Sequence, residues 1–345
     1  MFQVLAVDGI TLDSIGGSDA VTQGTGGKVR PVPCPASLGK VANAVCTDAL
    51  HMMPGARAEI WIPPQAAHVS AELVSTVCDM GPAGDLWPAA KLAQVEFPGG
   101  ATGSTALAVK SPPGRLTAAA GLLSSAVTID GGDGAGEIAL QDAPAIAANL
   151  PARQGAALRE HLHALSAPEA IPSAPCTTLQ PGHRRRIFFG VPDDDANGFG
   201  VGYEEVDAKG KSIPGTFQDI APFDHSLISV CLPLAPGNNT ANELWELVNV
   251  SGEDHNFHIH QTKFQVLSTS AGAAPPNALM DNVPVLHGST GCDGSVASWR
   301  SGACKVNTVY VRIPFSEVGD FVYHCHILEH EDGSMMAHIR VVPAK

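Results

Sequence analysis

Two short stretches, HNFHIHQTKF from His255 and HCHILEHEDGSMM from His324, gather six histidines and a cysteine. Histidines that land by chance or cap turns do not cluster in this way, and imidazole with thiolate makes a good metal donor set. On a β-strand successive side chains point to opposite faces. His324 and His326 then share one face and Cys325 takes the other. In the first stretch His258 and His260 share a face, while His255, an odd number of residues from His258, takes the opposite one. Parity alone therefore sorts the donors into two sets. Cys325 and His255 form one; His258, His260, His324 and His326 form the other.

The first set can be completed locally. His330 follows the cysteine by five residues and Met335 by ten, enough for a loop to fold both back onto the sulfur. Two histidines, a thiolate and a weak axial methionine make the trigonal arrangement of blue copper. Zinc is the rival, but it favours four strong ligands, and a thioether suits it poorly. The second set, four imidazoles without carboxylate or thiolate, suits copper that meets dioxygen. Cys325 is joined by backbone to both His324 and His326, which gives an electron a short route between the sets. A metal-bound thiolate also explains a free-looking cysteine in an oxidising setting.

At 345 residues the chain has room for two domains. Its 36 glycines and 27 prolines, with few long apolar periodic runs, point to many short strands joined by turns. A net charge of −14 argues against nucleic-acid or anionic-membrane partners. No apolar run reaches the roughly eighteen residues of a membrane span. The opening MFQVLAVDGITL reads as a strand rather than an export signal. The eight cysteines, with Cys34/Cys46 and Cys292/Cys304 at spacings that suit disulfides, nevertheless indicate an oxidising compartment. The expectation is a periplasmic or extracellular protein whose beginning is missing from this sequence.

Strand-like runs (FQVLAVDG, ARAEIWI, AELVSTVCDM, KLAQVEF) fill the first hundred or so residues. HRRRIFFGV, LISVCLPL, ELWELVNV, FHIHQTKFQVL, NTVYVRIP and FVYHCHI fill the last part. Between them the chain is Ala/Gly/Pro-rich, with one amphipathic helix expected at ARQGAALREHLHAL, where Leu158, Leu162 and Leu165 share a face. The expected architecture is all-β: two β-sandwich domains, residues 1–170 and 171–345, joined by a long, partly helical connection. His161 and His163 on that helix diverge by roughly 200° and make a poor ligand pair. His51, His68, His183, His225 and His287 are isolated and read as ordinary surface or core residues.

The two histidine stretches resemble the C-terminal copper signatures of the multicopper oxidases, the family of laccases, bilirubin oxidase and ceruloplasmin. An acidic pair after the last histidine and a methionine farther on resemble the bacterial spore-coat laccase and bilirubin oxidase version most. The resemblance implies that His255 joins Cys325, His330 and Met335 at type 1 copper. It implies His258 at type 2 copper, and His260, His324 and His326 at type 3. More weakly, FQVLAVDG…PGARAEIWI resembles the family's copper-free middle domain. Both domains are then expected to be cupredoxin-like Greek-key sandwiches, the middle and last of three. The family's first-domain motifs, His-Trp-His-Gly and a strand-borne His-x-His, do not occur here, so half of the trinuclear ligand set is missing. The implied function is one-electron oxidation of a phenolic, aromatic-amine or metal-ion donor coupled to reduction of dioxygen to water, with a first cupredoxin domain as the missing partner. The alternative is a non-enzymatic electron-transfer or copper-binding module.

Glu331, directly after His330, is the candidate catalytic residue, since the matching acid in similar laccases is considered a proton relay; otherwise it is a solvated loop acid. Asp332 and Asp254 are candidates to orient imidazoles. Trp245 and Trp299 read as core. Met335 is preferred to Met336 by spacing alone, and no Met-rich insert is present.

Overall fold

The computed structural model describes residues 1–8, 10–11, 27–29, 31–34, 44–62, 69–97, 176–193, 198–269, 272–273, 279–288 and 291–344. The chain divides into two units, Met1–Pro98 with Ile171–Lys345, and Gly99–Ala170. The second unit, with the expected helix around Leu158 to Leu165, lies outside the described residues.

From residue 184 onward the alternation of apolar and polar residues builds a sandwich. Asn307–Phe315 turns Val309, Val311, Ile313 and Phe315 inward and Arg312 outward. Met336–Val342 does the same with Ala337, Ile339 and Val341. Eight strands form one sheet: Gln218–Ala221, Gly200–Val206, Arg184–Gly190, Ala241–Asn249, Asn307–Phe315 and Phe264–Thr269 in order, with Gly272–Ala273 and Leu279–Met280 both paired to the last. Five form the other: Val230–Pro233, Met336–Val342, Gly319–Cys325, His255–Ile259 and Asn282–Val285. Most pairings are antiparallel; Arg184–Gly190 runs parallel to Ala241–Asn249, and Val230–Pro233 parallel to Met336–Val342. The facing sides share one core, in which Trp245 of the larger sheet meets Tyr323 of the smaller edge-on at 5.4 Å. This is an all-β sandwich of two sheets, the fold class expected. Among the described residues no helix is long and apolar enough to cross a membrane.

The outer face of the larger sheet is covered in part by the short helix Val296–Arg300, whose Val296 and Trp299 pack on Phe188 and Val248. Trp299 is thus only partly buried, whereas Trp245 is fully so. Arg185, sealed from solvent, is held by both carboxylate oxygens of Glu243 at 2.6 and 2.8 Å and by Tyr203 Oη at 2.6 Å.

In the N-terminal part, Phe2–Val7 pairs with Ile10–Thr11, Val45–Thr47 and Ala58–Trp61. Three further two-stranded ribbons join Val69–Ser75 to Ala90–Phe97, Gly27–Val29 to Leu50–Met52, and Cys78–Asp79 to Leu86–Trp87. No described strand of this part pairs with one beyond residue 184.

Two details differ from expectation. FHIHQTKFQVL is not one strand but two, His255–Ile259 and Phe264–Thr269, which lie in different sheets. The chain changes sheet at Gln261, whose φ of 61° breaks the extended run. Besides Cys34–Cys46 and Cys292–Cys304, a third disulfide joins Cys176 to Cys231.

Candidate metal centres

The smaller sheet places His255–Ile259 beside Gly319–Cys325 in antiparallel register, with Phe257 opposite Cys325 and His258 opposite His324. Directly opposed residues share a face. Phe257 and Cys325 therefore turn into the sandwich with His255, and His258 and His324 turn away from it. His260 and His326 each follow the last residue of their strand. His330 is returned to Cys325 by a helical turn, Leu328–Asp332, rather than by the expected irregular loop.

The first set converges in a dry pocket. Cys325 Sγ lies 3.5 Å from His330 Nδ1 and 3.8 Å from His255 Nδ1, and the two Nδ1 atoms are 3.0 Å apart. All three residues are buried. The far nitrogens are engaged elsewhere: His255 Nε2 lies 2.8 Å from Ser251 Oγ, and His330 Nε2 lies 3.5 Å from Glu253 Oε2. A carboxylate can only accept, so His330 carries its proton on Nε2 and directs the Nδ1 lone pair at the sulfur. Phe199 stacks on His330 at 4.2 Å and Phe189 on His255 at 5.8 Å, fixing both rings. Burial, reinforced by neighbouring His330, holds His255 well below the usual imidazole range. Burial also pushes the Cys325 thiol up to about 12, although Asn256 N–H donates to its sulfur at 3.3 Å. A buried thiolate between neutral imidazoles lacks a positive charge, and a bound cation would supply it. The donor set fits copper.

Met335 is fully buried in the adjoining core, and its main chain closes the pocket. Its carbonyl accepts from Cys325 N–H at 3.0 Å and its N–H donates to the His330 carbonyl at 2.9 Å. Met336 is half-buried.

The second set brings together His258, His260 and His324. His260 Nε2 and His324 Nε2 are 3.1 Å apart. His326 adjoins them, its ring centroid 4.9 Å from that of His258 and 5.2 Å from that of His324. His258 Nδ1 donates to the Asp281 carbonyl at 2.7 Å and His324 Nδ1 to the Cys325 carbonyl at 3.0 Å. Both rings thereby keep Nε2 as a lone-pair donor. Burial pushes His258 down to about 4, and burial lowers His324 as well, so both remain neutral and competent to ligate. An open cleft of about 690 Å³ runs beside this set, lined in part by His258, His260, Gln261, Lys263 and Asp281.

Glu331 stands beside the second set, its Oε2 3.4 Å from His324 Nδ1 and 3.7 Å from His326 Nδ1. Asp254 bonds a different histidine: its Oδ1 accepts from His287 Nδ1 at 2.7 Å and from His287 N–H at 2.8 Å. Sequence reasoning missed Ser251, Glu253 and Phe199. Glu253 was findable, because it precedes His255 by two residues in the segment that enters the strand; Phe199 carries no local signal.

The family model described as "Multicopper oxidase" matches residues 217–345, which include every residue of both sets. Residues 217–345 are thus similar to the multicopper oxidases. The match comes with relatives of the same kind. A multicopper oxidase of Staphylococcus haemolyticus is 36% identical over 103 residues, covering 29% of this chain and 20% of the relative. A laccase of Haloferax volcanii is 35% identical over 102 residues, covering 28% and 14%. A bilirubin oxidase of Albifimbria verrucaria is 35% identical over 96 residues, covering 28% and 15%. The matches thus span a fifth or less of these relatives. Among solved structures, a multi-copper oxidase from Pediococcus acidilactici aligns over 51% of this chain and 29% of its own, at 24% identity and a TM-score of 0.33. Copper is the metal that similarity to this family implies for residues 217–345.

Proposed function

We propose that this chain is part of a laccase-like oxidase that couples one-electron oxidation of a phenolic, aromatic-amine or metal-ion donor to reduction of dioxygen to water. His255, Cys325, His330 and Met335 would hold type 1 copper. His258 would hold type 2 copper, and His260, His324 and His326 would contribute to type 3. Bound copper would supply one-electron chemistry at the first set and dioxygen chemistry at the second. The observation that carries this reading is the tripeptide His324-Cys325-His326, which places a buried sulfur in one set and flanking imidazoles in the other.

The protein's own part is positional. Ser251 and Glu253 orient the two buried imidazoles, Phe199 and Phe189 exclude water from them, and the Asp281 and Cys325 carbonyls select the tautomers of His258 and His324. Glu331 sits where a carboxyl group can take up and pass protons beside His324 and His326. The second set offers four imidazoles, and a further cupredoxin domain outside this sequence would supply the rest across the open cleft. Three disulfides support a periplasmic or extracellular location.

The test is copper loading of the chain alone. We expect about one tightly held copper with an intense visible charge-transfer band, lost in Cys325→Ser, and negligible dioxygen consumption with phenolic donors. Fusion to a first domain carrying the absent histidines should restore turnover. Retention of the band in Cys325→Ser would sink the assignment. Robust dioxygen uptake by the chain alone, abolished by His326→Ala, would overturn the need for a further domain.

A further inference from the structure

The N-terminal part touches the second histidine set through one turn. Met53-Pro54-Gly55-Ala56 closes with Ala56 N–H donating to the Met53 carbonyl at 3.0 Å, and Gly55 has φ +79°. Proline followed by a positive-φ glycine is the type II turn, whose central peptide points its carbonyl outward. Here that carbonyl, of Pro54, accepts from the side-chain amide of buried Asn256. Asn256 in turn gives its N–H to Cys325 Sγ and its carbonyl to His326 N–H at 2.8 Å.

Gly55 lies flat against His326: a Cβ at that position would sit 2.6 Å from His326 Cδ2. Its carbonyl accepts from Arg57 Nη1 at 2.9 Å and Asn282 Nδ2 at 3.4 Å. Arg57 Nη2 reaches Asp281 Oδ1 at 2.7 Å, and the main-chain carbonyl of Asp281 is the acceptor for His258 Nδ1. The other end of Arg57 is pinned to buried Asp8, with hydrogen bonds from Arg57 N–H to Asp8 Oδ1 at 2.8 Å and from Asp8 N–H to the Arg57 carbonyl at 2.7 Å.

We infer that the Pro54–Arg57 turn is a clamp that positions the second histidine set, with Gly55 as the seat of the His326 ring and Arg57, through Asp281, fixing the His258 ring. The residues are positioning residues, since none offers a donor to the set itself. Glycine is required at position 55 twice over, by its φ and by the ring against it. The inference rests on the reading of His258 and His326 as ligands only where metal affinity is concerned. The ring contacts themselves hold without metal.

The test uses the full 345-residue chain with ¹⁵N-labelled histidine, metal-free and then titrated with Cu(II) alone. In the unsubstituted protein His258 should show a single neutral tautomer protonated on Nδ1. In Gly55→Ala and Arg57→Gln the His326 and His258 ring signals should shift, and His258 should become a tautomer mixture. Copper affinity of the second set should fall on the order of tenfold, as for other groups that orient ligands, while the visible band centred on Cys325 persists. Where a variant fails to fold, shown by circular dichroism, Asp281→Asn carries the test, because it removes the charge that pairs with Arg57, leaves an amide oxygen that Asn282 can still donate to, and keeps the main-chain carbonyl. Unchanged ring signals and second-set affinity in the folded variants would overturn the clamp. Responsive rings in a protein whose second set takes no copper would uphold the clamp and reject the ligand reading instead.

Discussion

Met335 and Met336 are neighbours in sequence with opposite environments: the first fully buried beside the Cys325 pocket, the second half-buried on a strand. Only the buried thioether can act as a weak axial donor without competition from water. Met335→Leu, which preserves volume and apolarity, should keep the copper and its colour and raise the reduction potential; an unchanged potential in a redox titration would exclude Met335. His258 makes a second prediction, about the metal-free protein. Burial pushes it down to about 4 from the ordinary 6.5, and burial also lowers His324. The unfolded chain takes up protons below about pH 6.5 that the folded chain refuses, so stability is complete above that pH. The contribution of the neutral His258 ring falls as the pH drops and is fully lost once the pH passes about 4. The urea midpoint should therefore decline steadily over this window, and less steeply in His258→Asn; a flat profile in the unsubstituted protein would contradict the burial described.

Strands with one wet face were legible as alternation. Asn307–Phe315 and Gly319–Cys325 were read from NTVYVRIP and FVYHCHI with ends off by only a few residues. Gly200–Val206 was not, because GVGYEEV carries two glycines and two acids that look like a turn. The acids are tolerated there because Arg186 meets Glu204 at 2.6 Å and Arg185 meets Glu205 at 3.1 Å, contacts between residues distant in sequence. The clustering of Cys325 with His255 and His330, and of His258 with His260 and His324, was legible because parity is a local property. Phe199, Ser251 and the Pro54–Arg57 turn were not, because their roles depend on long-range packing. The charged lattice gives a direct measurement. Glu243→Ala leaves the fully buried Arg185 without its bidentate partner and should cost about 3–5 kcal/mol in denaturant unfolding. A loss below about 1 kcal/mol would mean that Tyr203 and Glu205 suffice, as they also contact that guanidinium.

Across the whole molecule, the disulfide Cys176–Cys231 ties the segment entering the sandwich to the edge strand Val230–Pro233 of the smaller sheet. It closes a 55-residue separation, and Cys231→Ala should lower stability by about 2–5 kcal/mol, read in denaturant unfolding against the unsubstituted protein with its disulfides intact. The register of that smaller sheet has a further consequence. Because Cys325 faces inward and His324 outward on one strand, the two metal sets are locked in phase. Inserting a single residue between Tyr323 and His324 would rotate the thiol to the wet face and an imidazole into the core, exchanging soft and borderline donors at a stroke. Inserting two residues would restore the phase but carry the sulfur and its flanking imidazoles about 7 Å along the strand, away from His255 and His258. Face and register are therefore both fixed in this stretch: an odd step puts each donor on the wrong face, and an even step leaves it out of reach.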